Sequence, residues 1–286
     1  MATPTVRRLQ LGNELAHLRD QAGLSQEAVA RHVEKTQARI AKIEAGRADI
    51  DAVLLAALLD LYGIADRALR EFYLALRRNN GQRGRWSGYR RVYHHDFRIF
   101  VDIEEDAEQI QTVEAESVPP LLQIDDYMRA QFRAAVASGM SIDEAVTARN
   151  ARKSVLSRDF PVEYAVVMSE SSLRRQYGDS RIMRDQVDHV IEVSTLPNVI
   201  VQVLPFTATL TSPVLINYNF TLFKIPAAGT AGPLEVAYTE VPNDCRYLDR
   251  KDDVRAHGSM WARLSAAALA PGDTRDWLHA LRRQYN

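Results

Sequence analysis

Between Gly23 and Arg47 the chain carries amides, guanidinium groups and hydroxyls at spacings that suit a nucleic-acid duplex. Gln37, Ala38, Arg39 and Lys42 form one group. A glutamine amide can bond adenine bidentately, an arginine can bond guanine bidentately, and an alanine methyl can touch the thymine methyl. Arg31, Lys35 and Arg47 suit the flanking phosphates, and Thr36 joins them with a hydroxyl. Gln26 opens a helix whose free backbone N–H groups, with its own amide, can hold another phosphate.

This chemistry requires two short helices held at a large angle, so that the second can enter a groove by its N-terminal end. Ser25 is a good N-cap for a helix from Gln26 to Val33, with Ala28 and Val29 inward. Ala30 is small where the two helices must cross. Thr36 caps the next helix, Gln37 to Ala45, which turns Ile40 and Ile43 to the core and stops at Gly46. Three further helices complete the expectation. The first spans Thr5 to Ala22 with Leu11, Leu15 and Leu18 on one face, and Gly23 ends it. The fourth spans Asp51 to Tyr62, with Val53, Leu54, Leu58 and Leu61 apolar. The fifth starts near Asp66 and carries Leu69, Phe72 and Leu76. Residues 1–80 are therefore expected to be a compact five-helix domain.

Taken together, Leu24-Ser25-Gln26-Glu27, Ala30, Thr36-Gln37, Ile40, Ile43-Glu44 and Gly46 resemble the Cro/phage-repressor (XRE) type of helix-turn-helix. The pattern covers about Leu11 to Gly63. The resemblance implies base reading or groove contact by Gln37, Ala38, Arg39 and Lys42, and a phosphate contact by Gln26. It also implies a structural ion pair between Arg19 and Glu44, linking helix one to the reading helix. One residue departs from the pattern. Glu34 stands where the family usually has glycine in the turn, and glutamate tolerates a left-handed turn badly. A different turn and a longer second helix are both open expectations.

Net charge separates the two parts of the chain. Residues 1–91 hold 16 Lys and Arg against 10 Asp and Glu, a balance of +6, while the whole chain carries -1, so the remainder carries -7. Arg77 to Arg91 contains six arginines and no acid, and Asp96 to Asp126 contains ten acids and only Arg98. A basic first third suggests a polyanionic partner. Residues 81–91 read as a basic linker, in which Trp86, Tyr89 and, just beyond, Tyr93 interleave with arginines.

Residues 92–286 read as a mixed α and β domain with one modest sheet and a helical C-terminus, making the fold class α+β. Helical patterns occupy about Asp125 to Val136, Ile142 to Arg158, Arg181 to Thr195, Lys251 to Ala270 and Thr274 to Tyr285. Strand patterns occupy Glu163 to Met168, Val199 to Leu204, Ile216 to Ile225 and Leu234 to Val241, with prolines between them. The span Val162 to Leu204 suits a strand-helix-strand crossover. The segments Glu114 to Ala130, Pro197 to Phe206 and Phe220 to Pro226 resemble the C-terminal domain of the actinomycete WhiJ-like regulator family. That resemblance implies a helix-turn-helix joined to a domain of uncertain function, often encoded beside a small partner protein, with antitoxin-like members. Residues 207–219 have no counterpart in the family pattern.

The remaining candidates carry less. His94-His95 suits no common zinc spacing. Asp102, Glu104, Glu105, Asp106 and Glu108 lack the order of a calcium loop and read as a solvated helix face or an acidic patch. Ser169, Ser171 and Ser172 lack a nucleophile-elbow context. Tyr218, Phe220, Tyr238 and Trp261 can line a ligand pocket or fill an ordinary core. No catalytic set, metal site or cofactor is assigned. Cys245 is the single cysteine, no apolar run reaches the length of a membrane span and the N-terminus lacks an apolar signal region, so a cytoplasmic protein is expected. The expected function is a sequence-specific transcription regulator that binds double-stranded DNA as a homodimer. Its second domain would sense a small molecule or a small partner protein; an antitoxin-like neutraliser of such a partner, repressing its own operon, is the alternative.

Overall fold

The computed structural model describes residues 6–78, 92–93, 97–134, 141–209, 218–241 and 244–285. The expected linker at 81–91, the His94-His95 pair and residues 210–217 lie outside the described residues.

Five helices open the chain: α1 (Val6–Gln21), α2 (Gln26–His32), α3 (Gln37–Glu44), α4 (Ala52–Leu61) and α5 (Arg67–Arg78). Their starts are chemically marked. Ser25, Thr36 and Asp51 each accept from a backbone N–H three residues on, at Ala28, Arg39 and Leu54, satisfying donors that no carbonyl can reach. Asp66 Oδ1 does the same for Ala68 N at 2.7 Å and Leu69 N at 3.1 Å.

The ends share one geometry. Gly23, Gly46 and Gly63 follow α1, α3 and α4 at φ 69, 63 and 75°. At each, the glycine N–H and the next N–H return to carbonyls of the last turn, as in Gly46 to Ile43 at 3.0 Å and Arg47 to Lys42 at 2.8 Å. The end of α2 is built in the same way on Glu34. Its φ is 52°; Glu34 N reaches Arg31 O at 3.4 Å and Lys35 N reaches Ala30 O at 2.9 Å. Neither sequence expectation for this turn holds: α2 stops at His32 and the left-handed turn is kept with a side chain in it.

The five helices enclose a core of Leu11, Leu15, Leu18, Val29, Ile40, Ile43, Leu54, Leu55, Leu58 and Tyr73, among others. Val53, one of the apolar residues named for the fourth helix, is 81% exposed. Leu54, Leu55, Leu58 and Leu59 form the buried stripe of α4, and Val53 lies off it in the first turn.

Two compact units divide the chain. The first contains α1–α5, α6 (Phe97–Asp106) and the segment 225–234, whose Ala228 packs on the five-helix core. The acids of α6 are less solvated than expected. Glu104 is buried and Asp102 and Glu105 are half-buried, because they interleave with buried Ile99, Phe100, Val101 and Ile103.

The second unit is built on a six-stranded sheet: β1 (Gln109–Glu114), β2 (Glu163–Ser169), β3 (Val199–Leu204), β4 (Phe220–Ile225), β5 (Leu234–Val241) and β6 (Asp244–Leu248), in the order β3-β2-β1-β4-β5-β6. The pairs β1–β2 and β2–β3 are parallel, and β1–β4 and β5–β6 are antiparallel. Parallel neighbours need crossovers. Helices α7 (Asp125–Ala134) and α8 (Ile142–Arg152) lie between β1 and β2, and α9 (Glu170–Arg174) and α10 (Ser180–Val193) lie between β2 and β3. After the sheet come α11 (Lys251–Ala267) and α12 (Pro271–Arg282). Leu264 of α11 is fully buried on Val113, Val167, Phe220, Leu222 and Ala237. The open edge of β3 is closed by the chain entering α12: Leu269 N donates to Val203 O at 2.9 Å, and Val203 N donates to Thr274 Oγ1 at 3.2 Å.

Candidate nucleic-acid interface

Helix α3 is fastened to the core by Ile40 and Ile43, 1% and 3% exposed, and turns Gln37, Ala38, Arg39 and Lys42 to solvent. Isoleucines three apart occupy one side of a helix of eight residues, which puts residues 38 and 42 on the other. Arg31, Lys35 and Arg47 are exposed as well. Arg31, Lys35 and Lys42 make no ion pair among the described residues, so their charges are not neutralised by a neighbouring carboxylate. The side chain of Thr36 accepts from Arg39 N at 3.2 Å and keeps its own O–H as a donor. Arg39 folds across the surface, its Nη2 donating to Asp49 O at 2.5 Å.

A single hydrogen-bonded relay fixes the three helices to one another. Arg19 Nε and Nη2 grip Glu44 Oε1 and Oε2 at 2.7 and 3.1 Å, and Arg19 Nη1 donates to Leu24 O at 2.9 Å. The same Glu44 Oε2 accepts from Gln26 Nε2 at 2.8 Å, and Gln26 Oε1 accepts from Gln37 Nε2 at 2.7 Å. Arg19 and Glu44 side chains are 13% and 7% exposed. The bidentate fork is therefore screened from water, where charge-assisted bonds hold geometry best; the Glu44 hydrogen bond is the main influence raising the Arg19 pKa. Glu44 belongs to α3, Gln26 to α2 and Arg19 to α1. The relay thus ties α3 to α1 and α2 and presents the Gln37 amide at the N-terminal end of α3.

Sequence reasoning missed two residues that support this arrangement. Gly12 of α1 is where α3 comes closest: a Cβ there would stand 2.3 Å from Glu44 O. Glu14 is a carboxylate 1% exposed. Its Oε2 accepts from Thr230 N at 2.9 Å and Tyr73 Oη at 3.1 Å, and its Oε1 from Ala231 N at 3.2 Å. The signal was present, because Glu14 interrupts the apolar stripe of Leu11, Leu15 and Leu18. An acid on such a stripe needs donors, but nothing local shows that they come from residues 230 and 231.

The four aromatics considered as pocket liners lie elsewhere in the second unit. Phe220 is in the core under α11, with Tyr218 and Trp261 packed against it. Tyr218 Oη lies 3.4 Å from His257 Nε2, and Tyr238 Oη donates to Glu240 Oε2 at 2.9 Å.

Two crossing helices, a capped and outward-facing α3 and a basic surface define a helix-turn-helix DNA-binding module. Residues 10–72 match the family model described as a helix-turn-helix domain. Residues 97–280 match the domain of unknown function DUF5753, and the chain belongs to that family. No curated protein and no solved structure matches it. The helix-turn-helix makes it a DNA-binding regulator. Among the described residues no helix is long and apolar enough to cross a membrane.

Proposed function

We propose that the protein is a cytoplasmic transcription regulator that binds operator DNA as a homodimer, setting α3 of each subunit into the major groove of a half-site. Gln37, Ala38, Arg39 and Lys42 read base edges, while Gln26, Arg31, Lys35, Thr36 and Arg47 hold phosphates. Two-fold related reading helices sit about 34 Å apart in this class of complex. The observation that carries the reading is the relay from Arg19 through Glu44 and Gln26 to Gln37. It holds a base-reading amide in place on a helix whose remaining outward groups also suit a groove. The resemblance to XRE and WhiJ-like regulators supports the same conclusion. The second unit receives the signal, a small molecule or a small partner protein, that shifts the population able to bind DNA.

Arg39 has to leave Asp49 O to reach a base. That bond is exposed and exchanges with water at a cost of about 1 kcal/mol or less. Fluorescence anisotropy on a duplex selected from a random pool tests the assignment. Arg39→Ala is expected to lose about 1–3 kcal/mol on the selected duplex and to discriminate less against a scrambled one. Arg47→Ala is expected to weaken both duplexes alike, and binding of the unaltered protein is expected to fall steeply with salt. Failure to select any sequence at low salt, or an Arg39→Ala protein with unchanged selectivity, overturns the reading.

A further inference from the structure

A cleft of about 600 Å³ opens between α11 and strands β1, β4 and β5. That volume is within the range of small-molecule sites. Leu222 and Val254 contribute apolar wall. The charges around them are unequal. Lys224 is neutralised by Glu108, Nζ to Oε1 at 3.0 Å. Lys251 and Arg255 also line the cleft, one turn apart on α11, and neither has an ion pair among the described residues. Glu235 is the single acid in the wall. The cleft is therefore cationic, in a part of the chain whose balance is -7.

A second observation is independent of charge. Gly258 lies in the middle of α11, a helix of 17 residues, and lines the same cleft. Mid-helix glycine is destabilising relative to alanine because the unfolded chain loses more freedom on folding. Two reasons commonly justify the cost, and neither applies. Gly258 does not have a positive φ, and a Cβ built on it would meet nothing within 4 Å. The missing side chain leaves open space in the wall of the cleft.

We propose that the α11 cleft is a binding site for a small organic anion, an acidic group on an apolar body. Lys251 and Arg255 hold the acidic group, and the apolar body lies along Leu222 and Val254 in the space that Gly258 leaves. An ammonium compound of the same shape is rejected because two cations face it.

Titration of the full-length protein with 8-anilinonaphthalene-1-sulfonate, an aromatic sulfonate that brightens in apolar surroundings, tests this. One saturable site is expected, displaced by octanoate and not by octylammonium. Gly258→Leu fills the cleft and is expected to weaken the probe by about tenfold or more, with a thermal midpoint equal to or above that of the unaltered protein. Lys251→Ala with Arg255→Ala is expected to weaken it by a similar factor through loss of the charge-assisted contacts. Equal probe binding by all three proteins, equal displacement by octanoate and octylammonium, or no saturable binding would each overturn the proposal. DNA binding is not part of the readout, so failure here and failure of the regulator reading are separate results.

Discussion

Glu34 holds a backbone conformation that three glycines hold at the other helix ends. An L side chain at positive φ brings Cβ toward the following carbonyl, at a cost of roughly 1–2 kcal/mol. The turn keeps this strain because two hydrogen bonds, Glu34 N to Arg31 O and Lys35 N to Ala30 O, close the end of α2 only in that conformation. Glu34→Gly is expected to stabilise the first unit by about 1 kcal/mol, read as a higher midpoint in urea. An unchanged or lower midpoint would show that the turn is not strained. Glu114 makes a second residue-scale case, in the sheet. Burial pushes its carboxyl up to about 8, against the pull of Arg149, while Asn219 Nδ2 donates to it at 2.7 Å. The folded state therefore keeps a proton that the unfolded chain releases near 4.5. Stability from this group is complete below 4.5 and is lost as pH rises through about 8. Between those values the slope approaches about 1.4 kcal/mol per pH unit. Glu114→Gln is expected to remove that slope from a series of denaturation curves at pH 5 to 8; parallel pH profiles for the two proteins would contradict the assignment.

At the scale of elements, the position of α3 depends on a contact rather than on propensity. Gly12 lets the backbone of α1 touch the carbonyl end of α3, and a methyl group there would overlap Glu44 O. Gly12→Ala is expected to cost about 3 kcal/mol, the upper end of overpacking, and to weaken DNA binding by displacing α3. A loss below about 0.5 kcal/mol in urea, the range of a neutral surface change, would mean that the helices separate easily. The helices themselves were legible because each carries its own punctuation: Ser25, Thr36 and Asp51 at starts, Gly23, Gly46 and Gly63 at ends. Strands β3 and β5 were legible for a similar reason, as strand-forming residues between prolines, β3 nearly all apolar and β5 with polar residues interspersed. Strand β1 was not, since four of its six side chains are polar, Gln109, Gln111, Thr112 and Glu114, and only Ile110 and Val113 are apolar. Lying between β2 and β4, it is specified by its neighbours rather than by its own hydrophobicity. Helix α6 was read only as a solvated face or an acidic patch, because its acids masked the buried Ile99, Phe100, Val101 and Ile103 among them. Among the site residues, types and spacing marked Gln37 and Arg39 as outward-facing, and both are exposed, but the tie from Arg39 to Asp49 O depends on a loop conformation that spacing does not encode.

For the molecule as a whole, the first unit is not one continuous stretch of chain. Residues 225–234 belong to it, and they supply what Glu14 needs. A buried carboxylate without donors is strongly destabilising, whereas one enclosed by hydrogen bonds is not. Thr230 N, Ala231 N and Tyr73 Oη enclose this one, and a Cβ on Gly229 would stand 2.8 Å from Glu14 Oε2, so the backbone there must approach without a side chain. Near the carboxylate, Gln10 Nε2 donates to Pro226 O at 3.3 Å. A consequence is that one substitution should change sign with the length of the chain. In the full protein, Glu14→Leu removes the acceptor and leaves Thr230 N and Ala231 N unsatisfied, a loss of about 3 kcal/mol. In a fragment of residues 1–106 the two backbone donors are absent, Glu14 is a charge with only Tyr73 beside it, and the same Glu14→Leu should stabilise. Urea denaturation of the four proteins measures both effects. If Glu14→Leu destabilises the fragment as much as the whole chain, residues 230 and 231 do not hold the carboxylate, and the first unit is complete without them.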